Sequence, residues 1–158
     1  MVSRWHLLHL PVTLQGKTGP WGWVEDVLIR WPEGVIEGVG VRTAVRRYYV
    51  PATTGSISIT NMGVRILKKQ SVGKRSRSWW KGFGRQKIGM NHPVFGKNGE
   101  IVGLVKDLMI DETSLAVHDI VVSRGILEDL THGALLVSTR EVQIDLDGRI
   151  KIVPNRAI

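Results

Sequence analysis

The stretch Gly22-Trp-Val-Glu-Asp-Val-Leu-Ile29 has the pattern G-x-V-x-D-φ-φ-I, where φ is apolar, and Gly103-Leu-Val-Lys-Asp-Leu-Met-Ile110 repeats it. Each stretch is followed by a short turn, Arg30–Gly34 or Asp111–Ala116. Later segments also correspond in pairs: Val35–Arg42 with Val117–Arg124, Tyr48–Pro51 with Leu135–Ser138, and Ile57–Ile66 with Val142–Ile152. A spacing of about 80 residues exceeds a solenoid unit. The pattern therefore predicts a small domain that is present twice.

Both halves have the alternation that is typical of short β-strands. Apolar and polar residues alternate over Val142–Leu146, and Asp147-Gly148 indicates a hairpin turn. Helical periodicity is weak, and only Leu127–His132 is predicted to form a short helix, which Gly133 ends. About six short strands in roughly 65 residues are too few for a sandwich, whereas a sheet closed on itself removes its exposed edges.

We therefore predict an all-β fold with two small β-barrels in tandem, residues 1–67 and 90–158, joined by a connector at residues 68–89. A domain of this size is marginally stable alone, so the barrels are expected to pack together. Four tryptophans of the first half are candidates for filling that contact: Trp5, Trp21, Trp23 and Trp31.

The net charge of +8 is concentrated in the connector. Eight of the 22 basic residues lie between Lys68 and Lys87, where there is no acidic residue, and the other 14 are balanced by 14 acidic ones. A basic connector therefore separates two weakly charged halves. The chain has no cysteine, which excludes disulfides and thiolate metal sites and is typical of a reducing compartment.

No membrane-spanning or export segment is predicted. The longest apolar runs, such as Ala134–Val137, are much shorter than the span of about 20 residues that a bilayer requires. Met1–His6 leads into no apolar stretch of the kind found in secretory signals. We expect a cytoplasmic protein, with a peripheral position at the inner membrane face as the alternative.

Four segments of the second half together form a pattern that is known from other proteins: Gly103–Asp111, Val117–Gly125, Leu135–Val137 and Val142–Ile152. In combination they resemble the PRC-barrel family, which is named after the H subunit of the photosynthetic reaction centre. The family also includes the C-terminal domain of a ribosome-maturation factor that processes 16S RNA. Through the internal repeat, residues 5–67 are interpreted as a divergent second copy. The resemblance implies a docking or scaffolding module without catalytic activity.

No catalytic or cofactor motif is complete. Gly16-Lys17-Thr18 has the end of a phosphate-binding loop, but Pro11 occupies the position of its first glycine. Gly82-Phe-Gly84 begins a dinucleotide-binding pattern, but Lys87 occupies the position of its third glycine. The five histidines are scattered along the chain. We therefore predict no enzyme activity, no metal site and no cofactor.

Two acidic and two basic residues recur in the paired segments. Asp26 and Asp107 lie within apolar strands, where a carboxylate must be satisfied by hydrogen bonds. We interpret both as structural residues that accept hydrogen bonds from the backbone amides of a turn or lie at a barrel rim. Arg42 and Arg124, each closing a strand, are also interpreted as structural and are expected to pair with such carboxylates.

The connector is the candidate site for an anionic partner, because its cations can neutralise phosphates and its rings can stack on bases or lie among lipid headgroups. The residues assigned to this binding are Lys68, Lys69, Lys74, Arg75, Arg77, Trp79, Trp80, Lys81, Phe83, Arg85 and Lys87. Two simpler interpretations stay open: the charge serves solubility, or Trp79 and Trp80 pack between the barrels.

The leading functional hypothesis is a non-enzymatic PRC-barrel scaffold. It would bind a protein partner through its barrel surfaces, and the connector would favour anionic surfaces. The alternatives are a ribosome- or RNA-associated maturation-type factor and a peripheral adaptor at the inner membrane. A homo-oligomer is compatible with each hypothesis, and no small-molecule substrate is expected.

Overall fold

The computed structural model describes residues 1–68, 73–74, 90–145 and 147–153. The first half contains β1 (Val2–Ser3), α1 (Arg4–Leu7), β2 (Pro11–Leu14), β3 (Gly22–Arg30), β4 (Val35–Arg42), β5 (Arg47–Pro51), β6 (Ile57–Thr60) and β7 (Gly63–Ile66). Strand β8 (Gly73–Lys74) follows. The second half contains β9 (Pro93–Phe95), β10 (Ile101–Asp111), β11 (Ala116–Ser123), α2 (Ile126–His132), β12 (Leu135–Ser138), a 3₁₀ turn (Thr139–Glu141), β13 (Val142–Ile144) and β14 (Ile150–Ile152).

The strands of the two halves follow the same order. It is β6-β7-β2-β3-β4-β5 in the first half and β13-β14-β9-β10-β11-β12 in the second. Neighbouring strands in both orders are antiparallel, except that β7 is parallel to β2 and β14 is parallel to β9. The segments that correspond in sequence therefore form strands at corresponding places in one mainly β structure.

Irregularities in the strand ladders also recur at corresponding places. The pairing of β3 with β4 shifts register between Val24 and Asp26, and that of β10 with β11 shifts between Val105 and Asp107. A second shift follows in each pair before the strands end. A β-bulge bends a strand and re-aims the side chains that follow it. An offset of 81 residues relates Asp26 to Asp107 and the rest of these strands.

The two halves are joined at the start of β4 and β11. The Ile36 N–H donates to the Leu115 carbonyl at 2.8 Å, and the Val117 N–H donates to the Gly34 carbonyl at 2.7 Å. The 81-residue offset exchanges these two bonds, so the junction has approximate two-fold symmetry. Both acceptor residues have positive φ, 69° at Gly34 and 53° at Leu115.

Each half has its own buried core, and each core contains side chains from the other half. Ile110 and Leu115 lie in the core of the first half, while Trp31 lies in the core of the second. Full burial of an apolar side chain contributes about 1.5–3 kcal/mol. The burial of these side chains in the opposite core therefore stabilises the contact between the two halves.

The four tryptophans differ in their roles. Trp31 is buried between the halves, as predicted. Trp21 instead packs on Tyr48 within the first half, with 4.8 Å between the ring centroids. Trp5 and Trp23 are 75% and 41% exposed, so the prediction that they fill the contact is wrong.

The predicted closure of each barrel is not observed. In the described residues no ladder joins β5 to β6 or β12 to β13. In the first half, the turn uses backbone groups that a closing ladder would need, because the Ser56 N–H donates to the Thr53 carbonyl and the Leu67 N–H donates to the Ser56 carbonyl. Pro51, at the end of β5, has no N–H to donate. The sheet is therefore open along this side within the described residues.

The N-terminal segment contacts both halves. Val2 pairs with Ile110 of β10, while Leu7 is fully buried in the core of the first half. The Ser3 hydroxyl accepts a hydrogen bond from the His6 N–H at 3.0 Å and so caps α1. The predicted short helix is present as α2, and α1 was not predicted. Neither helix in the described residues is long and apolar enough to cross a membrane.

Candidate protein-docking site

Helix α2 exposes its apolar side chains to solvent. Ile126, Leu127 and Leu130 are 81%, 80% and 79% exposed, and no residue of the helix is buried. A surface helix of a globular protein normally turns its apolar stripe toward the core. The exposed stripe of α2 is therefore available to another molecule.

Asp129 attaches α2 to the sheet. Its carboxylate accepts hydrogen bonds from the Ser123 hydroxyl and from the Arg124 N–H, the latter at 3.1 Å, and lies 3.8 Å from Lys106 Nζ. The hydrogen bond from Ser123 is the main cause that lowers the pKa of Asp129, with smaller contributions from the Arg124 N–H and the nearby cations. The carboxylate thus stays ionised and holds the helix.

Two glycines bound the helix. Gly125 and Gly133 have φ angles of 117° and 76°, which glycine adopts without the steric cost of a side chain. The Gly133 N–H donates to the Asp129 carbonyl at 3.0 Å and ends the helix. Together with the Asp129 contacts, these ends fix the direction of the apolar stripe.

The outer edge of β12 differs from that of β5, the corresponding strand. Tyr48 and Tyr49 of β5 pair with Lys74 and Gly73 of β8. Within the described ranges, no strand pairs with the outer edge of β12. An unpaired edge presents backbone N–H and C=O groups that can bind an extended peptide.

The side chains of β5 and β12 also differ: the one on β5 is packed against the sheet, and its counterpart on β12 is exposed. Tyr49 lies over Gly38 and its hydroxyl donates to the Glu37 carbonyl at 3.0 Å. Burial, with a smaller effect of the Glu37 charge, raises the pKa of Tyr49 to about 12. Leu136 holds the corresponding position opposite Val121 and is 60% exposed. We call Ile126, Leu127, Leu130 and Leu136 the α2–β12 surface.

The two predicted structural carboxylates both contact α1. Asp26 Oδ1 accepts from Arg4 Nη2 at 2.9 Å, and Asp107 Oδ1 accepts from the Trp5 N–H at 3.0 Å. Each Oδ1 also accepts from the N–H of the following residue at 2.8 Å. Both groups therefore act at the contact between the N-terminal segment and the sheet.

Arg42 and Arg124 do not hold corresponding positions. Arg42 is opposite Trp23, while the residue at the matching place opposite Leu104 is Ser123. Arg124 lies beyond the end of β11, and its Nη2 donates to the Gly133 carbonyl at 3.3 Å. The expected pairing of these two arginines with Asp26 and Asp107 is absent from the described part of the chain, where Arg4 is the partner of Asp26.

The structure describes little of the predicted anionic-partner site. Lys68 is exposed, and the backbone of Lys74 lies in β8. The other assigned residues are outside the described residues: Lys69, Arg75, Arg77, Trp79, Trp80, Lys81, Phe83, Arg85 and Lys87. Their role stays a prediction. No group of three or more potential metal ligands occurs among the described residues.

Sequence reasoning identified the α2 helix but not its exposure. The spacing of Ile126, Leu127 and Leu130 was an available signal, since it places them on one side of a helix. The same spacing is equally typical of a helix packed on a core. Exposure was therefore not readable from the pattern alone.

Residues 90–158 match the PRC-barrel domain family. The match covers the second half, which carries the α2–β12 surface, and it agrees with the resemblance found in the sequence. No protein with a curated description matches the chain.

Proposed function

We propose that the protein is a non-enzymatic docking scaffold whose PRC-barrel domain binds a protein partner through the α2–β12 surface. The observation that carries this proposal is the exposure of three apolar side chains on a helix that Asp129 fixes to the sheet. Apolar patches rimmed by polar groups mark protein interaction sites. Glu128 and His132, paired at 3.3 Å on the same helix, supply such a polar margin.

The proposed mode of binding is strand addition. A partner segment would lie antiparallel to β12 and bond to its edge at Leu135 and Leu136, as β8 does at the corresponding residues of β5. Main-chain hydrogen bonds would supply part of the affinity, and the apolar stripe of α2 would select the side chains.

We also propose that the first half is a divergent copy of the PRC-barrel domain. Its strands have the same order as those of the second half, and the register shifts before Asp26 and Asp107 coincide. In this proposal the first half has acquired its own edge strand, β8, while the second half has kept an open edge for a partner.

The test is retention of proteins from native lysate by the purified chain, followed by direct titration of the retained protein after purification. Leu130→Glu should weaken the titrated affinity at least about tenfold, because a charge cannot be buried at an apolar interface without a partner. Val45→Glu, which alters an 86% exposed residue of the first half, is the matched control and should leave the affinity unchanged. Equal affinities for both variants, at equal melting temperatures, would contradict the proposal.

The connector is proposed to add attraction to an anionic partner, and an RNA-associated factor is the alternative. The same retention experiment with nuclease separates them, because loss of all retained protein after nuclease would indicate that RNA is the bridge. An RNA-binding connector also predicts that log affinity for RNA falls steeply with log salt. A protein partner that survives nuclease favours the scaffold.

A further inference from the structure

A shallow groove of about 230 Å³, lined by both polar and apolar residues, lies on the outer face of β2, β7 and β6. Arg65 of β7 lies at its middle, since it pairs with Thr13 of β2 on one side and with Ser58 of β6 on the other. Thr60 also lines the groove. Three hydroxyl side chains and one guanidinium side chain therefore line the same groove.

All four of these polar side chains carry hydrogen-bond donors. A guanidinium carries only donors, and a hydroxyl can donate while it accepts. Thr60 Oγ1 accepts from the Met62 N–H at 3.1 Å, which leaves its hydrogen available. No acidic residue lines the groove, and within the described residues Arg65 forms no ion pair.

The second half has no such site at the corresponding place. Lys151 replaces Arg65 and pairs with Phe95 and Gln143, which replace Thr13 and Ser58. Asp145 replaces Thr60, and its carboxylate accepts from Gln143 Nε2 at 3.2 Å. A carboxylate beside the cation offsets its attraction for an anion. Of these two corresponding places, the one in the first half is therefore the one without a carboxylate.

We propose that the Arg65 groove binds a single phosphate group. The guanidinium fork matches two phosphate oxygens, and the flanking hydroxyls can reach the others. A free phosphate compound and a phospholipid headgroup offer the same chemistry. The position on an exposed sheet face permits either source.

The test is a titration of the full chain with inorganic phosphate, followed by NMR at constant ionic strength. Saturable shifts are expected at the Arg65 side-chain Nε–H and at the amides of Thr13, Ser58 and Thr60. Arg65→Gln should weaken this binding about tenfold or more, because a charge-assisted bidentate contact is lost. Lys151→Gln removes the same charge from the corresponding place and should leave the affinity within about twofold.

Thr13→Val is a second test variant in case Arg65→Gln does not fold. It removes one hydroxyl but keeps the side-chain shape, and it should weaken phosphate binding severalfold. The headgroup arm compares flotation with phosphatidylcholine vesicles that carry phosphatidic acid or phosphatidylserine. Selective loss of phosphatidic-acid binding in Arg65→Gln assigns a lipid source, whereas phosphate binding without flotation assigns a free compound. Absence of saturable shifts, or equal weakening by Arg65→Gln and Lys151→Gln, would overturn the proposal.

Discussion

Asp26 and Asp107 hold adjacent residues of one helical turn, since Asp26 bonds to the Arg4 side chain and Asp107 to the Trp5 N–H. The two carboxylates occupy corresponding places in the two halves but bind the turn differently, one through a cation and the other through the backbone. Because this one turn bonds to a carboxylate of each half, it connects the two halves. Its loss should therefore affect both halves.

We first predict that Asp107→Ala lowers the free energy of unfolding by about 1.5–3 kcal/mol, the range for hydrogen bonds to charged groups. Asp107→Asn retains an oxygen acceptor for the Trp5 and Leu108 amides and should cost less. Urea denaturation of the wild type and both variants measures the difference. Equal losses in Ala and Asn would show that these amide bonds do not contribute.

The close approach of Gly38 and Tyr49 gives a second prediction. A Cβ at position 38 would lie 2.1 Å from Tyr49 Cε2, so Gly38→Ala must displace the ring. We expect a loss of about 1–3 kcal/mol, as for other overpacked sites. In a Tyr49→Ala background the same change should cost much less, and thermal unfolding of the four proteins tests this coupling. Additive effects would mean that the ring is not the obstacle.

A third prediction concerns high pH. The pKa of Tyr49 is raised to about 12, above the ordinary value of about 10. Its contribution to stability is therefore complete below pH about 10 and is lost as the pH rises toward 12. The ultraviolet absorbance of phenolate should show a titration step near pH 12 that Tyr49→Phe removes. If the step persists in that variant, the assignment is wrong.

The fourth prediction concerns the attachment of α2. Since the pKa of Asp129 is lowered, its contribution to stability is present above the ordinary aspartate value of about 3.9 and is lost as the pH falls through the folded value. Ser123→Ala removes the main cause and should raise the pKa of Asp129 in a carboxyl NMR titration. Asp111, whose pKa is lowered mainly by the Ser114 and Thr113 amides, is the internal control. An unchanged Asp129 titration would exclude Ser123 as the cause.

The alternation of apolar residues predicted the strands well, because it is a local property of the chain. The matched stretches that begin at Gly22 and Gly103 contain the same register shift. In each stretch the shift lies directly before the shared aspartate, Asp26 or Asp107. The predicted correspondence between Arg42 and Arg124 is wrong by one position, because Ser123 is the counterpart of Arg42. Leu115 takes the place of Gly34 with a positive φ, and a leucine gives no sign of that conformation in the sequence.

The remaining features depend on long-range contacts that no local pattern specifies. Helix α1 is too short for periodicity, although Ser3 was a usable capping signal. Whether the sheet closes depends on the hydrogen bonds that the turns make. At Ser56 the backbone N–H and carbonyl are already bonded within the turn and to Leu67. The exposure of α2 depends on where the Asp129 contacts hold it.

The hydrogen bonds between Gly34 and Val117 and between Leu115 and Ile36 are equivalent under the 81-residue offset, so both halves contribute the same groups to the junction. Such an isologous joint requires nothing that differs between its partners, so two identical chains could make it as well as one continuous chain. Covalent linkage removes the need for identity. The two halves can then diverge: β5 has a further neighbour in β8, whereas β12 has none on its outer edge within the described residues.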